Sequence, residues 1–376
     1  MLALFTVCAY SYAQDVSNEL LKKLVEKNIL TQNEADSLQI ISQTEKEKNS
    51  FTQTVEKVRN AFNTPYMQFG GYGLLMYKYN DVSRIKHDVN ARALYLHMRG
   101  ELIENFSYFA MMEFVHPTLT EFYVDWTPSD AFNIKLGQAK ISLSLENQFS
   151  ATALESVTNS RSVSTLIGMG DDVLRLQNGK SNTGRDMGLQ VYGNLFETKT
   201  HHLLEYRLGL FQGTGLVTSE TNNTKDFAGN IMLQPLKGFR IGGGAYFGEA
   251  TYVKDGETNK DDHVRNRWIA STDYKSDRFY ARAEYIRGND GGVKKEGLHG
   301  VGVWYFVPER LNAFARVDYL SANKEISREV IDYTAGVNYY FYKSCRFQLN
   351  YTYSDYSRKW DTSNSTLVQG QIQIVF

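Results

Sequence analysis

Residues 367–376 read Leu-Val-Gln-Gly-Gln-Ile-Gln-Ile-Val-Phe, and this stretch decides the fold. In an extended strand, Val368, Ile372 and Phe376 share one face, because successive side chains point to opposite sides. Glutamines at positions 369, 371 and 373 occupy the other face. The strand places one face against hydrocarbon and the other against water, so it predicts a sheet that separates the two.

The same alternation recurs from Tyr66 to Phe376, with Gly, Asn, Asp and Ser clusters between the segments. The segment lengths centre on the roughly 9–11 residues with which a tilted strand crosses a bilayer. We predict sixteen strands, at residues 66–79, 89–103, 106–115, 119–127, 132–140, 185–195, 202–213, 226–235, 239–249, 264–274, 278–287, 298–307, 311–320, 330–341, 346–354 and 366–376.

Charged residues keep to one phase in the best-patterned of these strands. In the second predicted strand, His97, Arg99 and Glu101 alternate with apolar residues. Such a pattern is expected in a membrane, because a lipid-facing charge near the midplane costs about 2–4 kcal/mol. We therefore predict an all-β fold, in which residues 64–376 form a closed, antiparallel, sixteen-stranded transmembrane β-barrel. An amphipathic strand that ends on an aromatic residue is typical of the last strand of bacterial outer-membrane barrels, which pairs with the first.

Composition agrees with a barrel. The chain has 25 Tyr and 21 Phe but 5 Pro, and aromatic residues suit strands whereas proline removes ladder hydrogen bonds. The mean hydropathy is −0.41, and no run of about 18 apolar residues exists, which excludes a bundle of membrane helices. The 41 basic and 42 acidic residues nearly balance, which argues against nucleic acid as a partner.

The N-terminal region differs from the rest of the chain. Residues 1–13 are apolar and end in Ser11-Tyr12-Ala13, which predicts a signal peptide; the missing basic segment favours a start upstream of Met1. Residues 14–63 are charged and helical in period, with a capping box at Thr31 and Glu34. We predict a periplasmic, coiled-coil-like helical extension there, and a solvated spacer is the alternative.

Short turns alternate with longer polar loops, including one at 288–297, and the connection at 141–184 is far longer than the others. A stretch of that length in a compact protein is usually functional. We predict that it folds into the barrel as a constriction loop of mixed charge. A loop that plugs the barrel completely is the alternative.

The candidate pore-lining and constriction residues are the charged side chains of the loop and of the water-facing phase of the strands. They are Arg99, Glu101, Glu113, Glu121, Asp125, Lys135, Lys140, Arg161, Arg175, Arg185, Asp186, Arg207, Arg265, Arg267, Arg282, Glu284, Arg316, Asp318 and Arg346. No nucleophile elbow, metal triad or phosphate loop is recognisable in the sequence. We expect no catalytic residues, no metal site and no cofactor.

Several short motifs, in this order, resemble those of the phosphate-selective porin O and P family. They are Gly137-Gln-Ala-Lys140, Leu145-Glu146, Arg161-Ser162, Gly184-Arg-Asp-Met-Gly-Leu-Gln-Val-Tyr-Gly193, Ala283-Glu-Tyr-Ile-Arg-Gly288 and Asn338-Tyr-Tyr-Phe341. The resemblance covers roughly residues 66–376. It implies a sixteen-stranded, homotrimeric porin whose third loop narrows the pore and whose lysines and arginines conduct phosphate. The N-terminal extension is similar to that of family members from the Bacteroidetes.

The function that we expect is passive diffusion of small hydrophilic solutes or ions across the outer membrane of a Gram-negative cell, with anions such as phosphate among the candidates. Sixteen strands enclose an aqueous bore. A selective anion channel needs a net positive lining, whereas the predicted lining is mixed, so phosphate selectivity is not carried over. The alternatives are a plugged structural or adhesive barrel and a barrel enzyme. Glu121 and Asp125 share a strand face but lie about 13 Å apart, too far to act on one bond.

Overall fold

The computed structural model describes Lys23, residues 63–179 and residues 184–376. Apart from Lys23 and Asn63, the predicted signal peptide (1–13) and helical extension (14–63) lie outside the described residues. Within the described part of the chain, no helix is both long enough and apolar enough to span a membrane.

Sixteen antiparallel strands form one closed barrel, in which β16 pairs with β1. In chain order the strands are β1 Gln68–Asn80, β2 His87–Ile103, β3 Phe106–Glu113, β4 Thr118–Ser129, β5 Phe132–Lys140, β6 Arg185–Glu197, β7 His202–Phe211, β8 Asp226–Leu236, β9 Phe239–Tyr252, β10 Asp261–Lys275, β11 Phe279–Asp290, β12 Val293–Val307, β13 Leu311–Asn323, β14 Arg328–Tyr342, β15 Cys345–Tyr356 and β16 Ser365–Val375. The predicted fold class and the pairing of the last strand with the first are confirmed.

The two faces of the sheet differ as the alternation predicts. On β15, Phe347 and Leu349 are 47% and 58% exposed on the outer face, whereas Gln348 and Asn350 are 3% and 1% exposed inside. Arg282 and Arg346 also point inward, and each is nearly fully buried. The barrel therefore presents hydrocarbon outward, with Arg282 and Arg346 inside.

The predicted loop at 288–297 is wrong. Strand β11 continues to Asp290 and β12 begins at Val293, so the connection is the two-residue turn Gly291-Gly292, with φ of 55° and 94°. Glycine adopts such angles readily, which permits a tight hairpin. The polar residues around this turn belong to the strands, because Asp290 points inward and pairs with Arg267 and Lys295 at 2.5 and 2.8 Å.

The two barrel ends carry different connections. One end, which we call the turn end, has short links such as 104–105, 130–131, 237–238 and 343–344. The other, the loop end, has the links at 141–184 and 212–225. The 141–184 segment, which we call the lumen loop, contains three short helices: α1 Leu145–Gln148, α2 Arg161–Leu166 and α3 Asp172–Asn178.

The hydrophobic core lies inside the barrel, between the lumen loop and the wall. Val163 and Leu166 of α2 are fully buried in a cluster with Ile269, Ile286 and Leu320 from β10, β11 and β13. These wall residues point inward, where water would otherwise stand. Burial of apolar surface is the dominant favourable contribution in folding, so it holds the lumen loop against one side of the barrel.

Candidate functional site: the lumen and its loop

Wall carboxylates hold the N-termini of the loop helices. Glu284 on β11 accepts hydrogen bonds from the N–H groups of Leu145 and Glu146 at 2.7 and 2.9 Å, and from the Ser144 hydroxyl at 2.8 Å. Asp318 on β13 accepts from the N–H groups of the first two residues of α2. Both carboxylates satisfy helix N–H groups that have no partner within the helix.

Wall arginines pair with loop carboxylates. Arg282 lies 2.8 Å from Glu146 and 2.7 Å from Glu155, and the Arg282 and Glu146 side chains are fully buried. Arg265 on β10 pairs with Asp171 at 2.5 Å. In the opposite direction, the loop residue Arg161 binds both carboxylate oxygens of Asp332 on β14, at 2.6 and 2.9 Å. These pairs fix the loop to β10–β15, whose inner face we call the anchored wall.

Electrostatic interactions keep the loop residues Glu146 and Arg161 charged. Burial favours the neutral form of Glu146, but His299 and Arg282 outweigh burial and hold the pKa of Glu146 well below its usual range. Burial alone would lower the pKa of Arg161, but Asp332 raises it above its ordinary value. Loop and wall therefore neutralise each other as ion pairs.

Three further arginines of the anchored wall form ion pairs or hydrogen bonds with the wall or the lumen loop. Arg267 pairs with Asp290 and donates to the Leu166 carbonyl at 2.9 Å. Arg316 donates to the Thr158 carbonyl at 2.9 Å, and Arg346 donates to the Leu154 carbonyl at 2.8 Å. All the predicted lumen cations of β10–β15 are thus engaged in holding the loop or the wall.

The space that remains lies beside β1–β7, whose inner face we call the open wall. Two cavities of about 760 and 420 Å³ occupy it and share lining residues, among them Lys140 and Arg185. The charged side chains that line them are Arg92, Lys135, Lys140, Arg185, Arg207, Glu113 and Glu121. The cations therefore outnumber the carboxylates among the residues that line these two cavities.

Some open-wall cations have carboxylate partners. Arg185 lies 2.6 Å from Glu121, Lys135 lies 3.5 Å from Asp125, and Arg207 lies 2.9 Å from Glu205. Tyr192 also donates to Asp125, at 2.7 Å. These pairs stand at the bore surface, where their charges remain close to passing water.

Two open-wall cations have neutral partners instead. Lys140 donates to the main-chain carbonyls of Gln148 and Phe149 at 3.2 and 2.5 Å. Arg92 donates to the Gln371 side-chain oxygen at 2.7 Å. Neither forms an ion pair within the described parts of the chain. Their positive charges are therefore uncompensated by direct contact.

The remaining predicted residues are either exposed or bonded to the backbone. Arg99 and Glu101 are exposed near the turn end, and Arg175 is exposed on α3. The Glu113 carboxylate accepts from three main-chain N–H groups, those of Leu94, Val115 and His116. The Asp186 carboxylate likewise accepts from the N–H groups of Met187, Gly213 and Gly215. The carboxylate oxygens of Glu113 and Asp186 are therefore occupied by backbone N–H groups and are less available to a solute.

Sequence reasoning missed several lumen residues, among them Arg92, Lys295, His299 and Asp332. Lys295 was placed in a loop. His299 and Asp332 lie on predicted strands, so a stricter count of the two-residue period would have found them. Arg92 gave no such signal, because it is the extra residue of a β-bulge opposite Leu74 and Leu75.

A closed sixteen-stranded barrel that contains an inward-folded loop beside a water-accessible bore has the architecture of a porin channel. The chain belongs to the family described as "Phosphate-selective porin O and P", which matches residues 67–376. The protein is therefore an outer-membrane porin that allows passive diffusion of small hydrophilic solutes.

Solved structures with the same fold include other porins. The anion-selective porin from Comamonas acidovorans is 11% identical, with a TM-score of 0.64 over 82% of this chain and 99% of that one. The outer membrane channel DcaP of Acinetobacter baumannii is 13% identical, with a TM-score of 0.57 over 82% and 97%. A trimer form of OmpT from Vibrio cholerae is 11% identical, with a TM-score of 0.54 over 83% and 100%. No curated protein matches the chain by sequence.

Proposed function

We propose that this porin prefers anions, with phosphate among its solutes. The observation that carries the proposal is the separation of charge inside the barrel. The carboxylates Glu146, Asp171 and Asp332 form ion pairs between the loop and the anchored wall. Arg92 and Lys140 line the bore with neutral partners. A net positive lining favours anions. The Comamonas porin, described as anion-selective, shares the fold and makes this preference a natural one to test.

The candidate lining residues are proposed to act in two groups. Arg92, Lys135, Lys140, Arg185 and Arg207 would contact anions along the open wall. The predicted residues of β10–β15, together with Arg161, would instead set the position of the lumen loop. Two cavities with shared lining along the open wall support a loop that constricts the bore and leaves it open.

The assembly and orientation belong to the same proposal. We infer a homotrimer, because the solved relatives include a trimer form. Because the strand number is even, β1 begins and β16 ends at the turn end. We propose that this end faces the periplasm together with residues 14–63. Two parts of the proposal rest on the sequence alone. They are the resemblance of that extension to Bacteroidetes members and the removal of residues 1–13 as a signal peptide.

The test is ion selectivity in planar lipid bilayers. Purified protein is reconstituted, and the reversal potential is measured across a KCl gradient. We expect chloride to be more permeant than potassium, and the double variant Arg92→Gln/Lys140→Gln to lose most of that preference. Lys359→Gln is the matched control, because Lys359 is exposed in the 357–364 link and lines neither cavity. A preference for potassium in the unmodified porin would overturn the proposal.

A further inference from the structure

Apolar side chains line the larger cavity beside its cations. The rings of Tyr72 and Tyr95 lie 4.8 Å apart on adjacent strands of the open wall. Met169 of the lumen loop and Val217 of the 212–225 link line the same cavity and are 43% and 67% exposed. Hydrocarbon left in contact with water is unfavourable. A bore for inorganic ions alone gains nothing from such side chains.

A second group of rings continues towards the turn end. His97, Phe109 and Tyr123, from β2, β3 and β4, stack side by side with centroids 5.6 and 5.4 Å apart. The Lys135 ammonium then lies 4.4 Å from the Tyr123 ring and 5.2 Å from the Tyr192 ring. One side chain from each of five consecutive strands thus forms a row, which we call the aromatic row. Phe109 has no polar atom, so the row includes a surface that cannot hydrogen-bond an ion.

Cations accompany the apolar surface at both levels. Lys140 and Arg185 line both cavities, and Lys135 is itself part of the aromatic row. A solute that moves along the open wall therefore meets positive charge and ring or hydrocarbon surface at the same time. Ligand sites commonly combine an apolar lining with a few placed polar groups.

We propose that the open wall forms a subsite for organic carboxylates that carry an aromatic or similarly apolar group. The carboxylate would pair with Lys140 or Arg185, and the apolar part would contact Tyr95, Met169 and Val217. Chloride and phosphate can use the cations alone, whereas an aromatic carboxylate uses both surfaces. This inference rests on the proposed anion preference, because a bore that rejects anions would not admit the carboxylate.

The experiment compares benzoate with acetate, which share one carboxylate and differ by the ring. Each is added to planar bilayers that hold the intact porin, and the reduction of chloride current is measured; inorganic phosphate is a third probe. Benzoate is expected to reduce the current several-fold more than acetate or phosphate at equal concentration. The double variant Met169→Ser/Val217→Ser should lose much of this difference and retain its chloride-over-potassium preference.

Tyr95→Ser is a second variant, and Val253→Ser is the matched control. Val253 is 42% exposed in the 253–260 link and lines neither cavity. Equal block by benzoate and acetate in a porin that still prefers chloride would overturn the subsite and leave the anion preference standing. A full benzoate effect in both the double variant and Tyr95→Ser would also overturn it. Preference for potassium would remove both proposals together.

Discussion

Replacing Arg282 with methionine should release the lumen loop from its wall. Arg282 is fully buried and pairs with Glu146 at 2.8 Å and with Glu155 at 2.7 Å. Methionine keeps much of the volume but removes the charge. Two carboxylates would then remain in a buried site without their strongest common partner.

The magnitude follows from the burial of these groups. Removing one partner of a buried ion pair typically costs about 3–5 kcal/mol, because the remaining charge stays desolvated. Such a cost changes the equilibrium ratio of bound to displaced loop by roughly 10²- to 4 × 10³-fold, at about 1.4 kcal/mol per factor of ten. The Asp318 cap and the Arg161–Asp332 pair are untouched, so the barrel should still fold.

Single-channel recording in planar bilayers is the assay. We expect Arg282→Met to show larger mean conductance and frequent fluctuations between levels, as the loop leaves and returns. Arg287→Met is the matched control, because Arg287 lies on the same strand but is exposed. The triple variant Arg282→Met/Glu146→Gln/Glu155→Gln should recover quiet channels, because it removes the stranded charges as well.

A quiet Arg282→Met channel of unaltered conductance would refute this reasoning, provided that the protein is folded and trimerises like its parent. The ion pairs would then contribute nothing to the loop position, and apolar packing alone would hold the loop. A triple variant noisier than Arg282→Met would also contradict it, because the unpaired carboxylates would then not be the cause of the noise.

Three further outcomes follow from the same structure. Deletion of residues 150–178 should raise single-channel conductance, and an unchanged value would contradict a constricting loop. The pKa of Glu146 lies below the roughly 4.3 of an unfolded chain, so its stabilising charge is present above that pH and is lost only as pH falls through the lower folded value; the Glu146 contribution should therefore persist from about pH 7 to pH 4.5, seen as lower noise in the porin than in its Glu146→Gln variant throughout. Gly244→Val should abolish barrel assembly, seen as loss of heat-modifiable migration on gels, because a Cβ at Gly244 would lie 2.1 Å from the Gly229 carbonyl oxygen; Gly300→Val, where a Cβ would meet nothing within 4 Å, is the control.

The barrel itself could be predicted from the sequence because lipid imposes a strong and regular penalty. Even the weakly patterned strands around Gly242 to Gly244 lie where predicted, as β8 and β9. The prediction failed at 288–297, where polar residues suggested a loop. Inside a barrel, residues such as Lys295 belong on strands, because the lumen can supply a partner such as Asp290.

The charge pattern of the bore could not be predicted. The sequence shows mixed charges in the lumen phase, but it does not show which of them meet. The lumen loop selects its partners by packing, and part of the wall beneath it is apolar: Val301, Val303 and Phe314 point inward and are buried. Over these short stretches both phases are apolar, so only charged neighbours such as Arg316 and Asp318 mark the inner face.

The lumen loop lies against one side of the barrel, and this position affects the orientation of a solute in the bore. On one side of the bore the cations are buried in ion pairs or bonded to loop carbonyls, and the other side carries Arg92 and Lys140, which have neutral acceptors and line the larger cavity. We expect a transverse electric field across the passage, roughly perpendicular to the direction of travel. A zwitterion of zero net charge would then pass with its negative end towards the open wall, so the bore would sort molecules by dipole as well as by size.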